Sequence, residues 1–339
     1  MKNHANEAKK RQQAAKSRTV QAAKSAQSAR TSHDYSHLSV SFGDWVSGAR
    51  IRTLGLAIAP VAIGVGASYV AVQRLGGEVS ILLALLALAV ALFLQIGVNF
   101  ANDYSDGIRG TDEFRLGPAR LTGSGRVAPK KVLLVALVFF ALAALAGLAI
   151  VLLSGYYWLL AVGALAIVAA WFYTGGKRPY GYYGLGEVFV FIFFGMVATL
   201  GTTYVQVGVI NQEAIFGGGA IGCIAVAVLL VNNLRDIDTD RKAKKRTLTV
   251  LIGKTATKIL FVLTLLVIPF GLNVVWNLAY PVSGLNWFVL LLALPATVIT
   301  LMAQKPKELV VALQLTSLSG LAYGLILGFS FFYAAVYQL

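Results

Sequence analysis

Nine long apolar runs dominate this 339-residue chain and restrict its fold more than any other feature. They cover approximately residues 53–73, 79–101, 132–153, 157–173, 186–207, 215–233, 258–279, 286–303 and 310–337. Each has about the 17–25 residues that a helix needs to cross a bilayer. Inside hydrocarbon every backbone N–H and C=O must be bonded within the protein, so runs of this length are read as helices. Composition agrees: 58% of residues are hydrophobic and 13% charged, against about 45–50% and about 25% in soluble domains. The expected fold class is an all-α integral membrane protein with about nine transmembrane helices.

The net charge of +15 would suit a nucleic-acid binder if it were spread over one surface. It is not. If the nine runs alternate in direction, 28 of the 29 Lys and Arg residues fall on one side, and only Arg74 lies opposite. By the positive-inside rule that side is cytoplasmic, so the charge reports topology and implies no nucleic acid. The N-terminus is then inside and the C-terminus outside, as in a multi-pass protein of the plasma membrane. Residues 1–40 are Ala, Lys, Ser, Gln and Arg with few large apolar residues, and read as a disordered basic tail before a membrane domain at 41–339. The three histidines, His4, His33 and His37, all lie in that tail, which argues against haem, His-bound metal or a Ser-His-Asp site in the membrane. A single cysteine, Cys223, excludes a disulfide framework and a Cys-based metal cluster.

Acidic residues are scarce and concentrated. Of 14 in the chain, six lie in two short stretches, each closing an apolar run. The first is Asn99–Asp112, with Asn99, Asn102, Asp103, Asp106 and Asp112. The second is Asn232–Asp240, with Asn232, Asp236, Asp238 and Asp240. Gln95, Asn99, Asn102, Asp103 and Asp106 recur every three or four residues and share a helix face. Asp236 and Asp240 share another, with Asp238 pointing away. Acid clusters at the ends of membrane helices need a partner, and hard oxygen donors suit a divalent cation. Two such clusters facing one cavity can hold Mg²⁺ and, through it, a diphosphate.

Other stretches admit two readings. Arg50 and Arg52, before the first run, are interface anchors or anion ligands at a cytoplasmic cavity. The glycine- and arginine-rich loop 113–131 is a phosphate wrap or an ordinary basic loop. Lys177 follows Tyr173 across a Gly-Gly turn and offers a point charge near membrane level. Glu187 reads as a helix cap, and the aromatic run Phe189, Phe191, Phe193 and Phe194 as facing lipid or neighbouring helices rather than a tunnel. The basic run 241–246 is an anchor or a neutralising patch, and the last three runs read as scaffold and lipid-facing wall.

The pair Asn102-Asp-Tyr-Ser-Asp106 and Asp236-Ile-Asp-Thr-Asp240, each after an apolar run, resembles the UbiA superfamily of membrane prenyltransferases. The longer string through Gly107-Ile-Arg-Gly-Thr-Asp112, with Tyr173-Thr-Gly-Gly-Lys-Arg-Pro-Tyr180 and Asn232-Asn-Leu-Arg-Asp236, looks like the branch acting on 1,4-dihydroxy-2-naphthoate. The resemblance spans about 45–337. It departs at Gly110, where the wider superfamily often has a third Asp, and at Arg50-Ile-Arg-Thr53, which lacks a proline. It implies a UbiA-type bundle of helices around a central cavity, Mg²⁺ as cofactor, and polyprenyl diphosphate and 1,4-dihydroxy-2-naphthoate as substrates. Asn99, Asp103, Asp106, Asp112, Asp236 and Asp240 would then bind metal. Asn102, Arg109, Tyr173, Lys177, Asn232 and Arg241 would face the diphosphate, and Arg50 or Arg52 the aromatic acid. A sister enzyme using 4-hydroxybenzoate shares this logic. A CDP-alcohol phosphatidyltransferase would need a downstream Gly-x-x-x-Asp-x-x-x-Asp, which residues 108–130 lack. An ion-coupled transporter would place its acids nearer the midplane.

Overall fold

The computed structural model describes residues 40–111 and 120–337. Asp112, with Arg115, Gly117 and Pro118 of the expected phosphate wrap, lies outside the described residues, as does the tail up to residue 39. Among the described residues there is no strand, and eight helices are long and apolar enough to cross a membrane. In chain order the helices are α1 (Phe42–Gly48), α2 (Gly55–Leu75), α3 (Ile81–Arg109), α4 (Pro129–Ser154), α5 (Leu159–Phe172) and α6 (Gly186–Val207). They continue with α7 (Gln212–Lys242), α8 (Leu248–Ala279), α9 (Pro281–Met302) and α10 (Glu308–Tyr337). The expected fourth span, α5, has only 14 residues, about 21 Å of helix against a hydrocarbon core of about 30 Å. Its neighbours end it early, because Tyr156–Trp158 forms a turn before it and the Gly175–Gly176 turn follows.

Helix α7 forms the centre of the bundle and is buried over most of its length. Helices α2 and α10 pack beside it with their backbones nearly touching. A Cβ on Gly324 would meet Ala59, one on Gly328 the carbonyl of Ala62, and one on Gly66 the carbonyl of Gly328. Gly320, Gly324 and Gly328 recur every four residues, the small-residue spacing that lets membrane helices approach closely where lipid offers no hydrophobic drive. Helix α6 contains a wide π turn, Phe191–Val197, whose Gly195 backs onto Gly218 and Gly222 of α7.

Both acid-bearing helices, α3 and α7, end on the same side. At the other end Arg74, the one basic residue expected there, pairs with buried Glu213 at 3.0 Å, and Tyr280 donates to the same carboxylate oxygen at 2.6 Å.

Candidate active site

The amide stripe of α3 shapes the entry to the site. Before α2 the chain turns through a short 3₁₀ elbow, Ile51–Thr53, with Arg50 in the left-handed region at φ 54° and ψ 53°. Such an elbow exposes carbonyls that a membrane domain must satisfy. Asn99 donates its Nδ2 to the Ala49 carbonyl at 3.0 Å and Gln95 its Nε2 to Thr53 at 2.7 Å, while Ser317 of α10 donates to Arg52 at 2.7 Å. The stripe thereby holds Arg50 and Arg52 in the lining of a cavity of about 880 Å³. That is at the upper end of the range for small-molecule sites, about 300–1,000 Å³.

The polar end of this cavity brings both clusters together. Asn99, Asn102, Asp103 and Asp106 line it from α3, and Asn232, Asp236 and Asp240 from α7. Lys245, just past α7, is the bridge: its ammonium lies 3.4 Å from Asp106 and 4.0 Å from Asp240. Arg120 meets the same Asp106 oxygen at 2.5 Å, and the Tyr182 hydroxyl donates to the other. Tyr182 lies beneath Lys245 and Arg109, with ring-to-cation distances of 4.8 Å and 5.4 Å. Burial, and then the Asp106 carboxylate beside it, pushes its hydroxyl above the usual phenol range, so it remains a donor. Across the cavity Arg235 forks onto its neighbour Asp236, Nε to Oδ1 at 2.8 Å and Nη2 to Oδ2 at 2.6 Å, and reaches Asn232 at 2.9 Å.

Asp103 is held differently. Its two oxygens accept the backbone amides of Leu121 and Thr122, at 2.8 Å and 2.9 Å, so it anchors the segment that carries Arg120. Arg120 also donates to the Asn102 carbonyl at 3.0 Å, and the Asn102 side chain accepts from Thr174 at 2.6 Å.

Several expected site residues lie elsewhere. Lys177 is exposed and outside the cavity lining, because the turn at Gly176 (φ 73°) carries the chain away just after Tyr173. Tyr173 itself lines the cavity. Arg241 is exposed within 4.0 Å of Asp238, which also pairs with Lys254 on the outer face. Arg109 does not line the cavity and donates to the carbonyls of Thr174 and Gly176, strapping that turn to α3.

Other expectations change as well. Glu187 lies in the first turn of α6, as a capping acid would, and is also buried, accepting from Asn233 at 3.0 Å and so linking α6 to α7. Phe189, Phe193 and Phe194 line the cavity, because the π turn of α6 changes which residues face inward. Tyr180 stacks on Phe189 at 4.0 Å and meets Tyr173 edge-on at 5.5 Å, an aromatic wall between the polar end and an apolar arm. Helix α10 also lines the cavity, with Val310, Leu313 and Gln314, so it is more than scaffold.

The donor set suits a hard divalent cation. Asp106 and Asp240, with Asp236, Asn99 and Asn232, offer only oxygen acceptors and amides, and a cationic group, Lys245, already lies between two of them. Among the described residues no three acidic side chains converge tightly enough to form a cation cage alone. Mg²⁺ is commonly held by one or two carboxylates together with substrate phosphates. Arg120, Arg235 and Lys245 line the same cavity and supply the positive charge that a diphosphate requires.

The chain is similar to proteins of known identity. A 1,4-dihydroxy-2-naphthoate octaprenyltransferase of Mycobacterium tuberculosis is 49% identical over 263 residues, 78% of this chain and 83% of that protein. The Escherichia coli protein of the same name is 38% identical over 62% of this chain and 68% of its own length. In fold, a UbiA homolog from Aeropyrum pernix superposes with a TM-score of 0.60 at 15% identity, covering 83% of this chain and 98% of the homolog. One from Archaeoglobus fulgidus, bound to DMAPP and Mg²⁺, superposes with 0.56 at 16% identity, covering 87% and 100%. A family model matches residues 57–308, and with these relatives, this helical fold and the paired acid-bearing helix ends, the chain is a multi-pass membrane protein of the UbiA prenyltransferase family.

Proposed function

We propose that this chain transfers a polyprenyl group from polyprenyl diphosphate to 1,4-dihydroxy-2-naphthoate with loss of carbon dioxide, in menaquinone biosynthesis. The observation that carries the reading is the convergence of Asp106 and Asp240 on one ammonium, at the polar end of a cavity whose remainder is apolar. The relatives named above support naphthoate as acceptor. When bound, Mg²⁺ neutralises the departing diphosphate. Asp106, Asp236 and Asp240 are the groups that would hold it, with Asn99 and Asn232 beside them.

The protein's own residues account for the rest. Lys245, Arg120 and Arg235 exchange part of their carboxylate contacts for phosphate oxygens as the allylic C–O bond breaks and its electron pair leaves with diphosphate. The ring carbon that bears the carboxylate attacks the allylic carbon. Carbon dioxide then departs and returns its bonding electrons to the ring, so the product is the quinol form of demethylmenaquinone and no further reactant is needed. Tyr173, Tyr180 and Phe189 face the developing allylic cation with π clouds, and the apolar arm excludes water. Arg50 and Arg52, which line the cavity, are the groups this reading assigns to the acceptor's carboxylate. The site opens at the cytoplasmic face of the plasma membrane, with the N-terminus inside and the C-terminus outside, as the charge distribution supports.

The test is product identification by mass after purified protein in nanodiscs meets a polyprenyl diphosphate with either 1,4-dihydroxy-2-naphthoate or 4-hydroxybenzoate. A prenylated, decarboxylated naphthalenediol is expected. Product from 4-hydroxybenzoate alone would overturn the acceptor, and no product from either would overturn the activity.

A further inference from the structure

Asp106 already has three partners. Arg120 and Lys245 both meet its Oδ2, at 2.5 Å and 3.4 Å, and the Tyr182 hydroxyl donates to Oδ1. The residue is 1% exposed, so a divalent cation reaches the carboxylate only by displacing one of the three. Arg120 and Lys245 are full charges beside a buried anion, and parting either from it is costly. The phenol is neutral, and its hydrogen bond is the cheapest of the three to give up. Oδ1 is therefore the oxygen open to exchange.

The ring of Tyr182 has a separate task. The Lys245 ammonium lies 4.8 Å from its centroid and the Arg109 guanidinium 5.4 Å, both within the range in which a ring face attracts a cation. The Arg246 amide donates to the Tyr182 carbonyl at 3.0 Å, so the backbone that carries Lys245 is tied to the same residue. Arg109 also fastens the carbonyls of Thr174 and Gly176, in the turn that leads to Tyr182. The segments that follow α5 and α7 thus meet at one side chain. Tyr182 does not line the cavity, and it acts through the groups it touches.

We propose that Tyr182 is a positioning residue with two separable parts: its hydroxyl holds Oδ1 of Asp106 and yields it to the divalent cation, while its ring keeps Lys245 beside the diphosphate. The inference rests on the prenyl-transfer reading and adds a residue outside the cavity that tunes how the metal and diphosphate are held.

The experiment uses the full chain in nanodiscs with Mn²⁺ and inorganic pyrophosphate as probes. Mn²⁺ binding is followed by loss of the free-ion EPR signal, and pyrophosphate binding by calorimetry. Tyr182→Phe removes the hydroxyl and keeps the ring, so Mn²⁺ should bind about two- to tenfold more tightly, the scale of one net hydrogen bond no longer competing. Tyr182→Leu removes the ring as well. Relative to Tyr182→Phe it should bind pyrophosphate about two- to tenfold more weakly, the scale of one cation–π contact, and raise KM for polyprenyl diphosphate more than it lowers kcat. Tyr183→Phe, at an exposed neighbouring position, is the control and should change neither affinity. Thermal unfolding is followed in parallel, and Tyr182→Met replaces the leucine variant if that one fails to fold. Unchanged or weaker Mn²⁺ binding in Tyr182→Phe would overturn the role of the hydroxyl, and equal pyrophosphate affinity in the Phe and Leu variants that of the ring. A wild-type protein that binds both probes but transfers no prenyl group would instead overturn the underlying reading, so the two failures are distinguishable.

Discussion

At the scale of single residues, the site is a set of carboxylates already paired with cations, and each pairing has a measurable consequence. Asp103 accepts two backbone amides, so Asp103→Asn turns one acceptor into a donor facing an N–H. The lost buried acceptor should destabilise the 120–126 segment by about 1–3 kcal/mol. Faster hydrogen exchange there is the expected readout, and unchanged exchange would rule out the anchoring role. Arg235 is buried and forks onto Asp236, a geometry that a lysine cannot reproduce. Arg235→Lys should lower kcat about tenfold or more, on the scale of a lost transition-state contact, while the unfolding temperature moves little. These cations were the part of the site least visible in the sequence. The acids announced themselves by spacing on one helix face, but Arg120 and Lys245 reach Asp106 across 14 and 139 residues, which no local periodicity reports.

Among the elements, α2 and α10 show how a membrane bundle replaces hydrophobic drive with close backbone contact. Gly324→Leu would push a side chain into Ala59 and should destabilise the protein by about 1–3 kcal/mol or more, seen as earlier thermal unfolding in detergent. The interfacial helix α1 answers to pH instead. The Ser41 amide and hydroxyl, and after them Arg126, hold the Asp44 carboxyl below its usual 3.8. A depressed carboxyl stabilises above its unfolded value, so the capping box of α1 is complete at neutral pH and is lost as pH falls through and below about 3.8. Trp45, 6.0 Å from Phe100, reports this: in a variant with Trp45 as the sole tryptophan, its emission should shift on acidification, and Asp44→Ala should abolish the shift. The long helices were legible from apolar run length alone. The short α5 and the π turn of α6 were not, because both depend on neighbours: two flanking turns in one case, and glycine contact between α6 and α7 in the other. Within that turn Phe191 packs against Gly222 of α7, while Phe193 and Phe194 line the cavity in place of the expected lipid or neighbouring helices.

For the whole molecule, the acid-bearing ends of α3 and α7 lie far apart in sequence and meet at one bridging ammonium. The repeated pattern of Asn followed by Asp after an apolar run made that meeting readable; its closing by Lys245 was one of two readings of a basic run. On the proposed function the two ends act on one donor through Mg²⁺. The measurement that tests it most directly is turnover of polyprenyl diphosphate with 1,4-dihydroxy-2-naphthoate across a Mg²⁺ titration, in the wild type and in Asp106→Asn and Asp240→Asn in nanodiscs. Both variants are expected to insert and fold, to lose about 100-fold or more in kcat, and to need more Mg²⁺ for their residual rates. Either variant working near the wild-type rate with an unchanged Mg²⁺ requirement would contradict it.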